Sequence, residues 1–189
     1  MPTPATSLID EARLAAQGTA RVIAGRPDAP LYFGEGLPAL FGSLLALVVA
    51  IAFSLAITTA QIAITGATPL VSSFETVATT AIIFLGQVGG TYAAFRTLKR
   101  ADRFVPYLVA DNWTSFYLSI ATAVLGAFGL DAGIILLAVA LVTLVAKVNI
   151  ARLIAELRLG GIAILIIAQI CGGAAALLVV GLLFGPVPV

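Results

Sequence analysis

The residues able to do chemistry in this chain are few, and they fall close together. Asp111, Asn112 and Trp113 stand in one apolar run, and Lys147, Asn149 and Arg152 stand near the end of the next. A carboxylate set against an ammonium, with two carboxamides beside them, fits two roles. It can form an ion pair that pins two helices together, or it can line a half-buried cavity that binds an ion, a proton or a lipid head group. At 1.5 Å per residue, Asp111 lies about 10 Å along a helix starting near Phe104, and Lys147 lies about 8 Å before Arg152 on a helix running the other way. The depths match. A lone charge near the bilayer centre costs at least about 2.5–3.5 kcal/mol, so opposite charges at equal depth are expected to pair. The expected contact is Asp111–Lys147, with Asn112 and Asn149 completing a polar network and Arg152 as an alternative partner. Arg152 and Glu156 are also spaced as an i,i+4 pair. Trp113 is expected to pack, its indole N–H finding Asp111 or a helix carbonyl as acceptor.

The remaining inventory excludes more than it offers. There is no histidine, which removes the commonest general base and metal ligand. The one cysteine, Cys171, has no disulfide partner and lies in an apolar run, so it reads as a buried structural residue. Glu75 is expected near the opposite face, five residues into the second apolar run, too far to continue a proton path from Asp111. No phosphate-loop pattern occurs. No cofactor and no metal are implied, no catalytic residue is identified, and the chain reads as non-enzymatic.

These residues are set in an unusual composition. Of 189 residues, 61% are hydrophobic and only 10% charged, against about 25% charged in soluble domains. Mean hydropathy is +1.13. Ten Lys and Arg against nine Asp and Glu leave no basic excess, so no nucleic-acid partner is expected. The fold class implied is all-α, a polytopic membrane bundle of five transmembrane helices. The runs 37–62, 71–95, 105–128, 132–151 and 160–184 each approach the roughly 20 residues that a spanning helix needs. They form one domain over residues 37–189.

Residues 1–36 form a cytoplasmic segment with an amphipathic helix at about 7–24. At 100° per residue, Leu8, Ala12, Ala15, Ala16, Val22 and Ile23 share one face, and Asp10, Arg13, Gln17 and Arg21 share the other. Ser7 and Asp10 resemble a capping pair, and Gly25 with Pro27 ends the helix. The acids near the start argue for a retained segment rather than a signal peptide. The helix is expected on the membrane surface or against cytoplasmic loops.

Charge sets the orientation. The ten basic residues fall before the first run, between the second and third, and from Lys147 to Arg158. Alternate connections carry none. By the positive-inside rule the N-terminus is cytoplasmic and the C-terminus outside, as five spans require. Arg96, Lys99, Arg100 and Arg103 crowd one short loop and are expected to touch anionic lipid. Gly86 with Gly90, Gly172 with Ala176, and Gly181 with Gly185 have the small-xxx-small spacing that lets helix backbones approach.

The stretch RFVPYLVADNWTSF, with its basic lead-in, aromatic–proline start and Asn112–Trp113 pair, resembles the Yip1 family, and in layout the Yip1-like five-span proteins of bacteria. The resemblance implies a non-enzymatic role in membrane organisation and no catalytic residues. The expectation is therefore a non-catalytic integral protein of the bacterial cytoplasmic (inner) membrane, a scaffold or accessory subunit whose partners are lipids and other membrane proteins. A small transporter or channel built on the Asp111/Lys147 cluster is the alternative. No feature sets an oligomeric state.

Overall fold

The structure, a computed structural model, describes residues 7–66, 72–128 and 130–185. Residues 67–71, which hold the latter part of the expected connection and the first residue of the expected second run, lie outside them, as do Gly129 of the expected turn and the C-terminal tail from 186. The described residues form six α-helices and two short 3-10 turns, with no strand among them.

Local chemistry sets the ends of the helices. Helix α1, Leu8–Ile23, starts at Ser7, whose hydroxyl accepts the Asp10 N–H, and carries Asp10 and Glu11 in its first turn and Arg21 in its last. Acids at the start and a base at the end both suit the helix dipole. It closes at Gly25, whose φ of 67° lets the Arg26 N–H return to the Arg21 carbonyl. A 3-10 turn at Ala29–Tyr32 leads to α2, Gly36–Thr65. Helix α3, Ser73–Thr97, begins with a full capping box between Ser72 and Glu75. Glu75 therefore belongs to the first turn of that helix, not five residues within it. After a 3-10 turn at Ala101–Arg103 come α4, Phe104–Ala127, with Pro106 in its first turn, and α5, Ala132–Leu153. The Asp131 carboxylate accepts the Gly133 and Ile134 N–H groups and so caps α5. Helix α6 is Leu159–Phe184.

Among the described residues four stretches are long and apolar enough to cross a membrane: Gly36–Ile57, Phe74–Thr97, Ala132–Leu153 and Leu159–Phe184. Five were expected. Helix α4 has the length, 24 residues, but Asp111, Asn112, Trp113, Thr114 and Ser115 interrupt its apolar run.

The helices gather into two compact units. The first comprises Met1–Ser54 and Asp102–Arg158, and so holds α1, the first part of α2, α4 and α5. In it α4 packs on α5, and α1 packs on both. The N-terminal half of α4 is its core: Tyr107, Leu108, Val109, Ala110, Asn112, Trp113 and Thr114 are all buried. Helix α2 buries small residues, Ala39, Ser43, Ala46 and Ala50, at alternating spacings of four and three. On α1 the buried residues are Ala15, Gly18, Thr19 and Val22. Ala15 and Val22 belong to the expected apolar face and Asp10, Arg13 and Gln17 of the polar face are exposed, while Leu8 departs from the expectation by being exposed. The helix lies on α4, on α5 and on the connection that follows it, where Gly18 faces Phe33 and Arg21 stacks over the Tyr32 ring at 4.0 Å.

The second unit comprises Leu55–Ala101 and Leu159–Val189. Here α3 and α6 run antiparallel in close contact. A Cβ on Gly86 would meet the Gly172 carbonyl oxygen and lie 2.7 Å from the Ala176 Cβ, and one on Gly90 would meet the Ala168 carbonyl oxygen. Backbones this close bring Cα–H groups onto facing carbonyls. Gln169 donates to Thr91 at 3.0 Å, and Thr91 donates to the Gln87 carbonyl at 2.7 Å. Two expected packing glycines do not share in this. A Cβ on Gly181 or Gly185 would meet nothing within 4 Å, and Gly185 instead ends α6 with a φ of 80°. Cys171 is exposed on α6, not buried as expected. The tight contact to α3 uses the adjacent Gly172, which leaves the thiol outside it.

Candidate functional site

The polar residues read as one network from the sequence form a layer of separate contacts across the first unit. Lys147 on α5 donates to both carboxylate oxygens of Asp111 on α4, at 2.8 and 3.0 Å. Both side chains are partly buried. Successive residues of α4 point about 100° apart, so Asn112 and Trp113 face elsewhere. The Asn112 amide donates to the Ser43 hydroxyl on α2 at 3.1 Å, and Ser43 donates onward to the Leu40 carbonyl at 2.9 Å. Trp113 donates its indole N–H to Glu11 of α1 at 3.1 Å, rather than to Asp111 or a carbonyl.

The expected network of Asn112 and Asn149 around the ion pair is thus replaced. Asn149 donates to the Val22 carbonyl at 2.9 Å, beside the C-terminal end of α1. Arg152 brings its guanidinium to the same end, 3.5 Å from where a Cβ on Gly25 would sit. A cation and an amide there satisfy the partial negative charge of the last carbonyls. Arg152 is no partner of Asp111 and does not pair with Glu156. Helix α5 ends at Leu153, Glu156 has a φ of 54°, and its carboxylate takes Arg103 at 2.6 Å.

Glu11 is enclosed by small residues. A Cβ on Gly42 would fall 2.5 to 2.9 Å from its carboxylate atoms, and one on Gly34 lies 3.9 Å from it. Burial raises the Glu11 pKa above its ordinary 4.5, and the Trp113 hydrogen bond works against that rise. Trp113 is 2% exposed. Its ring stacks on Tyr117 at 6.1 Å and meets Phe116 edge-on at 5.7 Å. Tyr117 in turn donates to the Ala12 carbonyl of α1. Two buried hydroxyls in this unit, on Thr19 and Thr114, have no hydrogen-bond partner among the described residues.

Among the residues assigned to lipid contact, Arg96 and Lys99 are exposed in the second unit, and Arg96 lies 6.0 Å from the Tyr92 ring. Arg100 belongs to the same unit. Arg103 belongs to the first, where Asp102 and Glu156 both engage it, so much of its charge is already met.

The layer's main groups close on one another. Its chemistry is that of a clasp: an ion pair joins α4 to α5, an amide joins α4 to α2, and an indole–carboxylate bond joins α4 to α1. No group of three or more His, Cys, Asp or Glu able to hold a metal occurs among the described residues. Glu11, Ser43 and Tyr117 were not foreseen as members. The small-residue stripe of α2 and the Ala15, Gly18, Thr19 run of α1 were the signals in the sequence, since such faces let a polar side chain reach a neighbouring helix. A scan against protein-family models returned no matching family, and searches of the curated proteins and of the solved structures returned no match.

Proposed function

We propose that this chain is a non-catalytic integral membrane protein of the bacterial inner membrane, a scaffold or membrane-organising subunit that acts through helix packing and lipid contact. The observation that carries this reading is the pairing of Asp111, Asn112, Trp113 and Asn149 with Lys147, Ser43, Glu11 and the Val22 carbonyl. Side chains satisfied by their own fold are poor candidates for holding a substrate or passing an ion from site to site. The likeness of RFVPYLVADNWTSF to Yip1-like proteins points the same way. In this reading the five helices α2 to α6 thread the bilayer with the N-terminus cytoplasmic, because basic residues occupy alternate connections.

Transport through the Asp111–Lys147 neighbourhood is the reading to test against. The full chain reconstituted into vesicles is expected to pass protons and potassium no faster than empty vesicles do. A flux that Asp111→Asn abolishes would overturn the scaffold reading. Proteins that co-purify in mild detergent would then name the assembly it supports.

A further inference from the structure

The polar layer also marks a depth. Helix α1 meets α4 at Glu11–Trp113 and Ala12–Tyr117, and its other end reaches Asn149 of α5. On its outward face Arg13 and Gln17 are exposed. If α4 entered the hydrocarbon at Phe104, Trp113 and Tyr117 would lie about 14 and 20 Å inside it, at 1.5 Å per residue. Arg13 would then face acyl chains near mid-bilayer, where a charge is strongly disfavoured. The exposed apolar side chains of α5, α4 and α1 give a second mark, whereas on α2 they begin earlier, at Leu37 and Phe41. On α5 they run from Ile134 to Val145, and no large apolar side chain is exposed among residues 146–158. On α4 and just beyond it they are Val124, Leu125 and Phe128. On α1 they are Leu8 and Ile9, the latter 80% exposed, at the end of the helix nearer the α4–α5 connection.

We propose that the cytoplasmic boundary of the hydrocarbon passes through the layer of Glu11, Trp113 and the Asp111–Lys147 pair, so that α1 stands outside the acyl chains and meets them only through Leu8 and Ile9, and that the α4–α5 pair thereby presents a belt shorter than the bilayer core. This rests on the membrane-spanning reading above. Below the layer, residues 115–127 of α4 rise about 20 Å and residues 132–146 of α5 about 22 Å, against a usual hydrocarbon thickness of about 30 Å. The far end of this belt carries a charge as well. Asp131 is exposed, and its carboxylate caps α5 by accepting the Gly133 and Ile134 N–H groups. A belt held between two polar ends and shorter than the bilayer core is matched by lipids with short acyl chains, or it thins longer ones around itself.

The test uses the purified full chain in vesicles, with Cys171→Ser as background and Arg13→Cys or Leu137→Cys added. Flotation with the vesicles checks the membrane reading by itself, and a chain that stays behind removes that reading and this proposal together. In floated protein, with both vesicle faces open to an impermeant maleimide, Arg13→Cys is expected to label at least about tenfold faster than Leu137→Cys, because the thiolate forms only in water. Equal protection of both thiols would overturn the boundary. The thermal midpoint is expected to peak in phosphatidylcholine with acyl chains of about 14 carbons, and a peak at about 18 or longer would overturn the short belt.

Discussion

Trp113 and Glu11, 102 residues apart in sequence, are joined by an indole N–H···carboxylate hydrogen bond of 3.1 Å. The bond ties an amphipathic helix to the core of the first unit at the point where α4 is most enclosed. Removing the donor while keeping an aromatic ring leaves a part-buried carboxylate without its partner. Trp113→Phe should therefore destabilise the attachment of α1 by about 1–2 kcal/mol. Arg13 and Arg21 lie in that helix, so trypsin should cut the variant there several-fold faster than the parent. Unchanged cleavage would show that the bond contributes nothing to holding α1.

The same carboxylate makes the attachment depend on pH. Its folded pKa is raised above 4.5, chiefly by burial. The stability it contributes is complete below the unfolded pKa and is lost as pH rises through the folded one. Denaturant titrations followed by the emission of Trp113, the only tryptophan, should show the first unit gaining stability as pH falls towards 4.5. The slope should be shallow because the group is only partly buried. In Glu11→Gln, which keeps an acceptor and drops the charge, the slope should flatten.

Asp111 and Lys147 should behave as a pair. Asp111→Ala leaves the ammonium in a partly buried place and should cost about 1–3 kcal/mol, less than a fully buried pair because Lys147 can reach towards water. Asp111→Leu combined with Lys147→Leu should cost less than either single change, since apolar replacements leave no orphaned charge. A double-mutant cycle on thermal midpoints in detergent measures the coupling. Strictly additive losses would mean that the two side chains are not partners.

Adjacent glycines in α3 give a contrast within one helix. Gly90→Ala drives a methyl into the Ala168 carbonyl and should destabilise the α3–α6 pair by about 1–3 kcal/mol. Gly89→Ala meets nothing within 4 Å and should be neutral or stabilising by up to about 1 kcal/mol, from helix propensity alone. Thermal midpoints of the two variants should move in opposite directions or differ clearly in size.

Much of this was legible in the residues. The apolar runs place the long helices within a few residues, because burying or lipid-covering a helix needs a continuous stretch of such side chains. The Asp111–Lys147 contact follows from equal depth on neighbouring antiparallel helices. Gly86, Gly90 and Gly172 carry their close approach in their spacing. Where expectation and structure part, the cause is direction. Gly181 has the same spacing as the packing glycines, yet a Cβ there would meet nothing within 4 Å among the described residues. Arg152 is four residues from Glu156, but the helix stops between them and Arg103 takes the acid.

Composition and the order of charges alone determined an all-helical protein with long apolar helices, because those properties depend on local runs of residue type and on the cost of placing charge in hydrocarbon. Only the tertiary structure decided that the polar cluster divides into separate clasps, that Glu11 rather than Asp111 accepts the Trp113 hydrogen bond, and that α1 turns Ala15, Gly18, Thr19 and Val22 inward. A side chain's partner depends on which helix stands opposite it. Each residue turns the helix face by about 100°, so Asp111, Asn112 and Trp113, consecutive in the chain, meet α5, α2 and α1 in turn.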